Sequence, residues 1–285
     1  MAEGRRASAV ALVIGAACSV QGGAAVAKSL FPQLGPPGVV FLRLLFGSLA
    51  LWAIARPRLR GRPRRDLRLI AALGVVLVSM NLSFYESLAR APLGVVVTVE
   101  FLGPLAVAVL GSRRRLDLVW VVCAATGIAL LANGTGQAHP PGLVLAAVAG
   151  FFWACYILLG VRVGRVFPGA TGLAPAMALG AVLAAPWGIL AAGTHLRDAQ
   201  LVGAGVGVGL LSSALPWSLE LEALRRLPSH VFSVVLSLEP AVAALVGWLF
   251  LHEDLRVRSW VAIGLVVIAS AGAARRAHPP APPDV

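Results

Sequence analysis

The chain has 285 residues, of which 59% are hydrophobic and 13% charged, and it carries a net charge of +12. That is too apolar for a soluble globular domain. The basic excess does not point to nucleic acid, because nearly all of it lies in short gaps between apolar runs, where membrane topology places it.

Ten apolar segments follow one another, at 8–27, 37–55, 68–89, 92–111, 117–133, 142–161, 170–192, 201–222, 229–250 and 258–274. Each is close to the length that crosses hydrocarbon. The fold class they predict is an all-α integral membrane protein of ten transmembrane helices. The first segment is too long for a removable signal peptide and lacks a convincing cleavage site.

Charge sets the sidedness. With the N-terminus in the cytoplasm, one face receives 18 arginines: Arg5, Arg6, seven between Arg56 and Arg68, Arg113–Arg115, Arg162, Arg165, Arg225, Arg226, Arg275 and Arg276. The other face receives only Lys28, Arg90, Arg197, Arg256 and Arg258. This bias predicts both termini inside and an even number of spans. Residues 275–285, ending AHPPAPPDV, are proline-rich and are expected to form a disordered cytoplasmic tail.

The fourth segment, PLGVVVTVEFLGPLAVAVLG, carries one carboxylate, Glu100, near its middle. Pro104 has no N–H to give, so the Glu100 carbonyl loses its helical partner and becomes a free acceptor. A copy lies 136 residues downstream. Glu86, Leu88, Arg90, Pro92, Val95, Val99, Leu102, Pro104, Ala108 and Gly111 meet identical residues between Glu222 and Gly247. The chain therefore reads as two five-helix units, 8–133 and 142–274. Because five is odd, the second must enter the membrane upside down, which is the inverted repeat that alternating-access transporters use.

Intramembrane charges are costly and mark function by default. Helical counting puts Glu100 and Glu239 at similar depth, with Arg43, Asn81 and Tyr85 in the same layer. Such a layer suits a small zwitterion: carboxylates for an ammonium group, Arg43 for a carboxylate. A proton and an amino group competing for Glu100 or Glu239 would be the minimum requirement for antiport. Other uses stay open. Arg43 can pair structurally with Glu100 or Glu239, or snorkel outward. Trp153 and Tyr156 lie deep enough to line a cavity, although aromatic packing is the simpler use. Glu86 and Glu222 read as helix-end ion pairs with Arg90 and Arg226, and Glu220, one turn beyond Trp217, is left unassigned. Cys18, Cys123 and Cys155 read as small buried hydrophobes, and no metal or cofactor set is found.

GGAAVAKSLFPQLGPPGVVFLRL (22–44), PLGVVVTVEFLGPLAVAVLGSRR (92–114) and LSSALPWSLELEALRRLPSHVFSVVLSLEPAVAALVGWLFLHE (211–253) resemble the threonine/homoserine exporter branch of the drug/metabolite transporter superfamily. The likeness runs over about 9–275. It implies two tandem EamA domains around a central cavity in a bacterial inner membrane. It also implies export of small amino acids or related amphipathic metabolites, driven by protons. Lys28, Arg43, Glu100 and Glu239 match that branch's motifs. A broad drug or metabolite exporter, or an importer, is the second transport reading, and a non-transporting scaffold the third. Enzyme signatures such as HExxH, GxSxG or a phosphate loop are absent. The expected partners are a small-molecule substrate, protons and the bilayer. The run Gly203-Ala204-Gly205-Val206-Gly207 suits close helix packing within the fold or in a homodimer.

Overall fold

The computed structural model describes residues 2–110, 117–132 and 139–276. Arg113–Arg115 and most of the predicted tail, 277–285, lie outside the described residues. Within them the chain is almost wholly helical, and no strand is present. The first five crossings are α1 (Ala2–Ser29), α2 (Phe31–Ala55), α3 (Arg64–Leu88), the pair α4 (Leu93–Glu100) and α5 (Leu102–Leu110), and α6 (Asp117–Ala132). The second five are α7 (Pro140–Val166), α8 (Leu173–Ala192), the pair α9 (Ala199–Gly209) and α10 (Leu215–Leu224), the pair α11 (Ser229–Leu236) and α12 (Glu239–Leu251), and α13 (Val257–Arg276). A π-helical turn, Leu210–Ala214, joins α9 to α10.

Eight of these are long and apolar enough to cross a membrane, and the apolar stretches Val119–Leu131 and Val257–Ala273 in α6 and α13 are shorter. Those two helices pack against each other. The second crossing begins six residues ahead of its expected start at 37. Gly35, at φ +66°, supplies a kink before Pro36 and Pro37, so helix continues on both sides of the break. Asp198 caps α9 by accepting from the Gln200 and Leu201 amides.

Large apolar side chains face outward along the helices: Leu190 is 81% exposed, Phe250 70% and Trp187 63%. In a bilayer that surface meets acyl chains, so it carries no hydrophobic penalty. The same reasoning corrects the expectation for the cysteines. Cys18 is exposed, and Cys123 and Cys155 are half-buried, because an apolar residue of a membrane helix is as well placed on lipid as in the core.

The helices pair as the repeat requires. Counterparts from the two halves lie along each other: α2 with α8, α4 with α12, and α6 with α13. The α3–α7 contact has its mate in α10–α1. Small residues let the backbones close up. A Cβ on Gly94 would come 2.7 Å from the Ala244 Cα, and one on Gly209 would come 3.0 Å from the Gly47 nitrogen. In the glycine-rich run only Gly205 faces a neighbour, Leu42, while Gly203 and Gly207 meet no atom within 4 Å.

A polar clasp closes one end of the bundle. Lys28 Nζ pairs with Glu253 Oε1 at 2.7 Å and donates to the Ala91 carbonyl at 3.0 Å. The other carboxylate oxygen, Glu253 Oε2, accepts from the Leu93 amide at 2.8 Å and so caps α4. Spans one, four and nine are thereby tied together across the two halves. The helix-end pairs Glu86–Arg90 and Glu222–Arg226 form as their spacing predicts. Being exposed, they contribute little. The clasp is drier, with side chains 25% and 10% exposed. A double-mutant cycle of Lys28→Met and Glu253→Gln, read by denaturation in detergent, is expected to give a coupling of about 1–3 kcal/mol. A coupling near zero would mean that the pair is ornamental.

Candidate functional site

Between the two halves lies a cavity of about 360 Å³, within the range of small-molecule sites. Its walls repeat the internal symmetry. Leu77, Met80, Asn81 and Phe84 line it from α3; Ser213, Pro216, Trp217 and Glu220 line it from the eighth span. Each of the second set lies 136 residues after its partner in the first, the offset found between spans four and nine. Val20 and Gln21 of α1 stand in the same relation to Tyr156 and Ile157 of α7. The i, i+3, i+4, i+7 spacing is one face of a helix, so homologous faces of the two halves look at each other across the cavity. Their chemistry differs: α3 contributes mostly apolar groups, whereas its counterpart contributes a hydroxyl, an indole and a carboxylate.

Glu100 and Glu239 both line this cavity and are each 7% exposed. Each stands where its crossing breaks: Glu100 ends α4, and Glu239 begins α12. Pro104 and Pro240 cause the breaks, since neither can donate to the carbonyl four residues earlier. Glu239 therefore sits at the positive end of a helix and Glu100 at the negative end of another. Gln21 Nε2 donates to Glu239 Oε1 at 3.1 Å. Among the described residues, no side chain donates to the Glu100 carboxylate.

Arg43 faces the same space but pairs with neither. Its Nη1 donates to Tyr85 Oη at 3.0 Å and its Nη2 to the Ser212 carbonyl at 3.2 Å. The guanidinium carbon lies 5.5 Å from the Tyr85 ring centroid. No carboxylate stands within ion-pair distance of Arg43 among the described residues. Its Nε is buried without an acceptor. Of the uses left open by the sequence, the structural ion pair is thus not the one adopted here.

The Ser212 carbonyl is available for a reason already met at Glu100. Pro216 follows four residues later and has no N–H. The π-helical turn over Leu210–Ala214 absorbs this defect, and Ser19 Oγ donates to the neighbouring Leu211 carbonyl at 2.6 Å. Such turns are frequent at functional sites.

Asn81 lines the cavity while its Nδ2 donates to the Leu77 carbonyl of its own helix at 2.8 Å. Tyr85 is fully buried and acts through Arg43, outside the cavity wall. Trp153 and Tyr156 are part of the wall, and Trp153 also packs edge-on against Phe101 with ring centroids 5.1 Å apart. The Glu100 carbonyl, expected to be a free acceptor, lies against Gly150 of α7: a Cβ there would come within 2.6 Å of it. Sequence reasoning passed over Gln21, Ser212 and Ser213, and left Glu220 unassigned. The signal for Ser212 was Pro216, and for Glu220 its place on the stripe equivalent to Phe84.

The EamA-like transporter family model matches residues 7–132 and 140–275. The chain belongs to that family. The two matches coincide with the two halves that share the cavity. Among relatives of this EamA chain, the "Threonine/homoserine exporter RhtA" of Escherichia coli (strain K12) is 44% identical over 271 residues, spanning 92% of this chain and 90% of that protein. The protein of the same name from Salmonella typhimurium (strain LT2) is 43% identical, spanning 89% and 87%. The "Uncharacterized transporter YxxF" of Bacillus subtilis (strain 168) is 25% identical, spanning 81% and 78%. A solved crystal structure with 18% identity superposes with a TM-score of 0.64 over 95% of this chain and 98% of its own, which shows a shared fold.

Proposed function

We propose that this EamA protein exports small zwitterionic amino acids, threonine and homoserine among them, across a bacterial inner membrane in exchange for protons. One observation carries the reading. One cavity holds Glu100, a buried carboxylate with no side-chain donor among the described residues, and Arg43, a guanidinium whose Nε has no acceptor among them. The relatives named as threonine/homoserine exporters support the substrate class.

An ammonium group set between Glu100 and Glu239 would gain charge-assisted contacts, and the substrate carboxylate would meet Arg43. Tyr85 and the Ser212 carbonyl hold the guanidinium in place, so little ordering cost is left to the substrate. Protons competing with the ammonium for the same carboxylates supply the exchange. Both termini lie in the cytoplasm, following the arginine bias. The second half is inverted relative to the first, and this lets the two halves exchange roles in alternating access. In this orientation the clasp of Lys28 and Glu253 lies on the outer side.

Purified protein in proteoliposomes, preloaded with unlabelled threonine, is expected to take up labelled threonine by counterflow. Homoserine should compete, and the uptake should be driven by a pH gradient. If cationic dyes compete and threonine and homoserine do not, the broader drug-exporter reading replaces this one. If no solute gives counterflow, transport itself is refuted.

A further inference from the structure

Glu220 is a third carboxylate in the cavity wall, and neither the repeat nor the zwitterion accounts for it. Its counterpart in the first half is Phe84, which lines the cavity from the matching position of α3. The carboxylate is therefore a departure from the symmetry, confined to the second half. No hydrogen bond or ion pair reaches Glu220 among the described residues. Of the groups that line the cavity with it, Glu239 of α12 and Tyr156 of α7 are within electrostatic reach. The same wall also holds the neutral Gln21 of α1 and the apolar Leu236 of α11. Arg43 of α2 is held by Tyr85 and Ser212, and its electrostatic partner is Glu100. On its own helix, Glu222 turns outward to Arg225 and Arg226.

The charge balance decides what Glu220 can do. A zwitterion brings no net charge, so it cannot neutralise three carboxylates set against one guanidinium. Glu220 and Glu239 line the same cavity, and two carboxylates that share a low-dielectric wall can hold one proton between them. A second observation points the same way. Gln21 is 2% exposed, donates to Glu239, and leaves its Oε1 buried without a partner. An unpartnered acceptor beside a carboxylate is suited to an incoming N–H or to a protonated neighbour. Position supplies direction. Glu220 is one helical turn, roughly 6 Å, from the end of α10 at Leu224, next to Arg225 and Arg226 on the arginine-rich side.

We propose that Glu220 and Glu239 hold the coupling proton as a pair, and that Glu220 releases it to the cytoplasmic side when the substrate ammonium engages Glu239. One proton leaves for each ammonium that arrives, and the empty carrier takes one back from outside at Glu239. This rests on the reading of the cavity as a proton-coupled amino-acid site, and it separates the proton's exit from the substrate's contacts.

The test uses the full chain in proteoliposomes with labelled threonine, comparing accumulation driven by a pH gradient with exchange at equal pH. For Glu220→Gln the ratio of accumulation to exchange is expected to fall at least tenfold, and the pH profile of exchange to flatten. Glu220→Asp is expected to restore both. A ratio and pH profile equal to those of the unsubstituted chain would overturn the proposal. So would a parallel loss of exchange and accumulation that Asp does not restore, since that is the mark of a structural role. If the unsubstituted chain exchanges no threonine, the amino-acid reading fails and takes this proposal with it.

Discussion

Substituting Gln for Glu100 or for Glu239 is expected to lower threonine counterflow about a hundredfold in each case, with the protein still present in the membrane. The substitution keeps shape and removes only charge. An ammonium desolvated in the cavity loses a charge-assisted contact, which at about 3 kcal/mol corresponds to two decades. The two variants should nevertheless differ in detail. In Glu239→Gln the new amide would keep a contact with Gln21, which already donates to Oε1 of the native residue. In Glu100→Gln the new amide would have no side-chain donor to hold it, and Arg43 would face a neutral group. Initial rates at several threonine concentrations, normalised to membrane-inserted protein, check this. Rates above half of the unsubstituted level in both variants would remove the carboxylates from the mechanism.

A larger effect on the fold is expected from Gly103→Ala. The added Cβ would fall on the carbonyl oxygen of Gly150, and the atom in its way is backbone, which cannot rotate aside. Spans four and six would have to separate where Glu100 is positioned. Overpacking of this kind costs about 3 kcal/mol or more. Transport should fall along with the melting temperature in detergent. Gly160→Ala on the same α7 helix is the control. Its Cβ meets no atom within 4 Å, and alanine is the better helix former by about 1 kcal/mol. That variant should be neutral or slightly stabilising. Equal melting temperatures for the two substitutions would mean that the close approach of spans four and six is not needed.

Much of the architecture was legible in the chain, because a bilayer leaves few choices. Backbone polar groups in hydrocarbon must be satisfied within helices, so runs of apolar residues translate directly into crossings. Arginine clusters give an expected sidedness. The 136-residue offset, seen first between Glu86–Gly111 and Glu222–Gly247, also maps Leu77 onto Ser213 and Phe84 onto Glu220. The offset alone therefore pairs the stripes of spans three and eight with each other, while the structure shows that they line the cavity. Proline, too, acts locally enough to be read, at Pro104 and Pro240 and, had it been followed, at Pro216.

Side-chain partners on different helices were not legible. Depth along a helix follows from counting, but the azimuth of a side chain depends on how neighbouring helices cross. Arg43, Glu100 and Glu239 share a layer by count, which is compatible with an ion pair. In the fold, Arg43 instead spans from Tyr85 to the freed Ser212 carbonyl. Lys28 and Glu253 are 225 positions apart, and only the packing of span one against span nine brings them together.

Glu100 with its proline marks the contrast. The sequence by itself determined that a carboxylate sits at mid-membrane beside a helix break, in a chain built from two like halves, since composition, period and proline chemistry act over a few residues. Only the tertiary structure decided that its carbonyl is packed against Gly150, that its carboxylate stands free in a shared cavity, and that Glu220 and Gln21 belong to the same wall. Those facts depend on crossing angles and close approaches between helices distant in sequence, which no local pattern encodes.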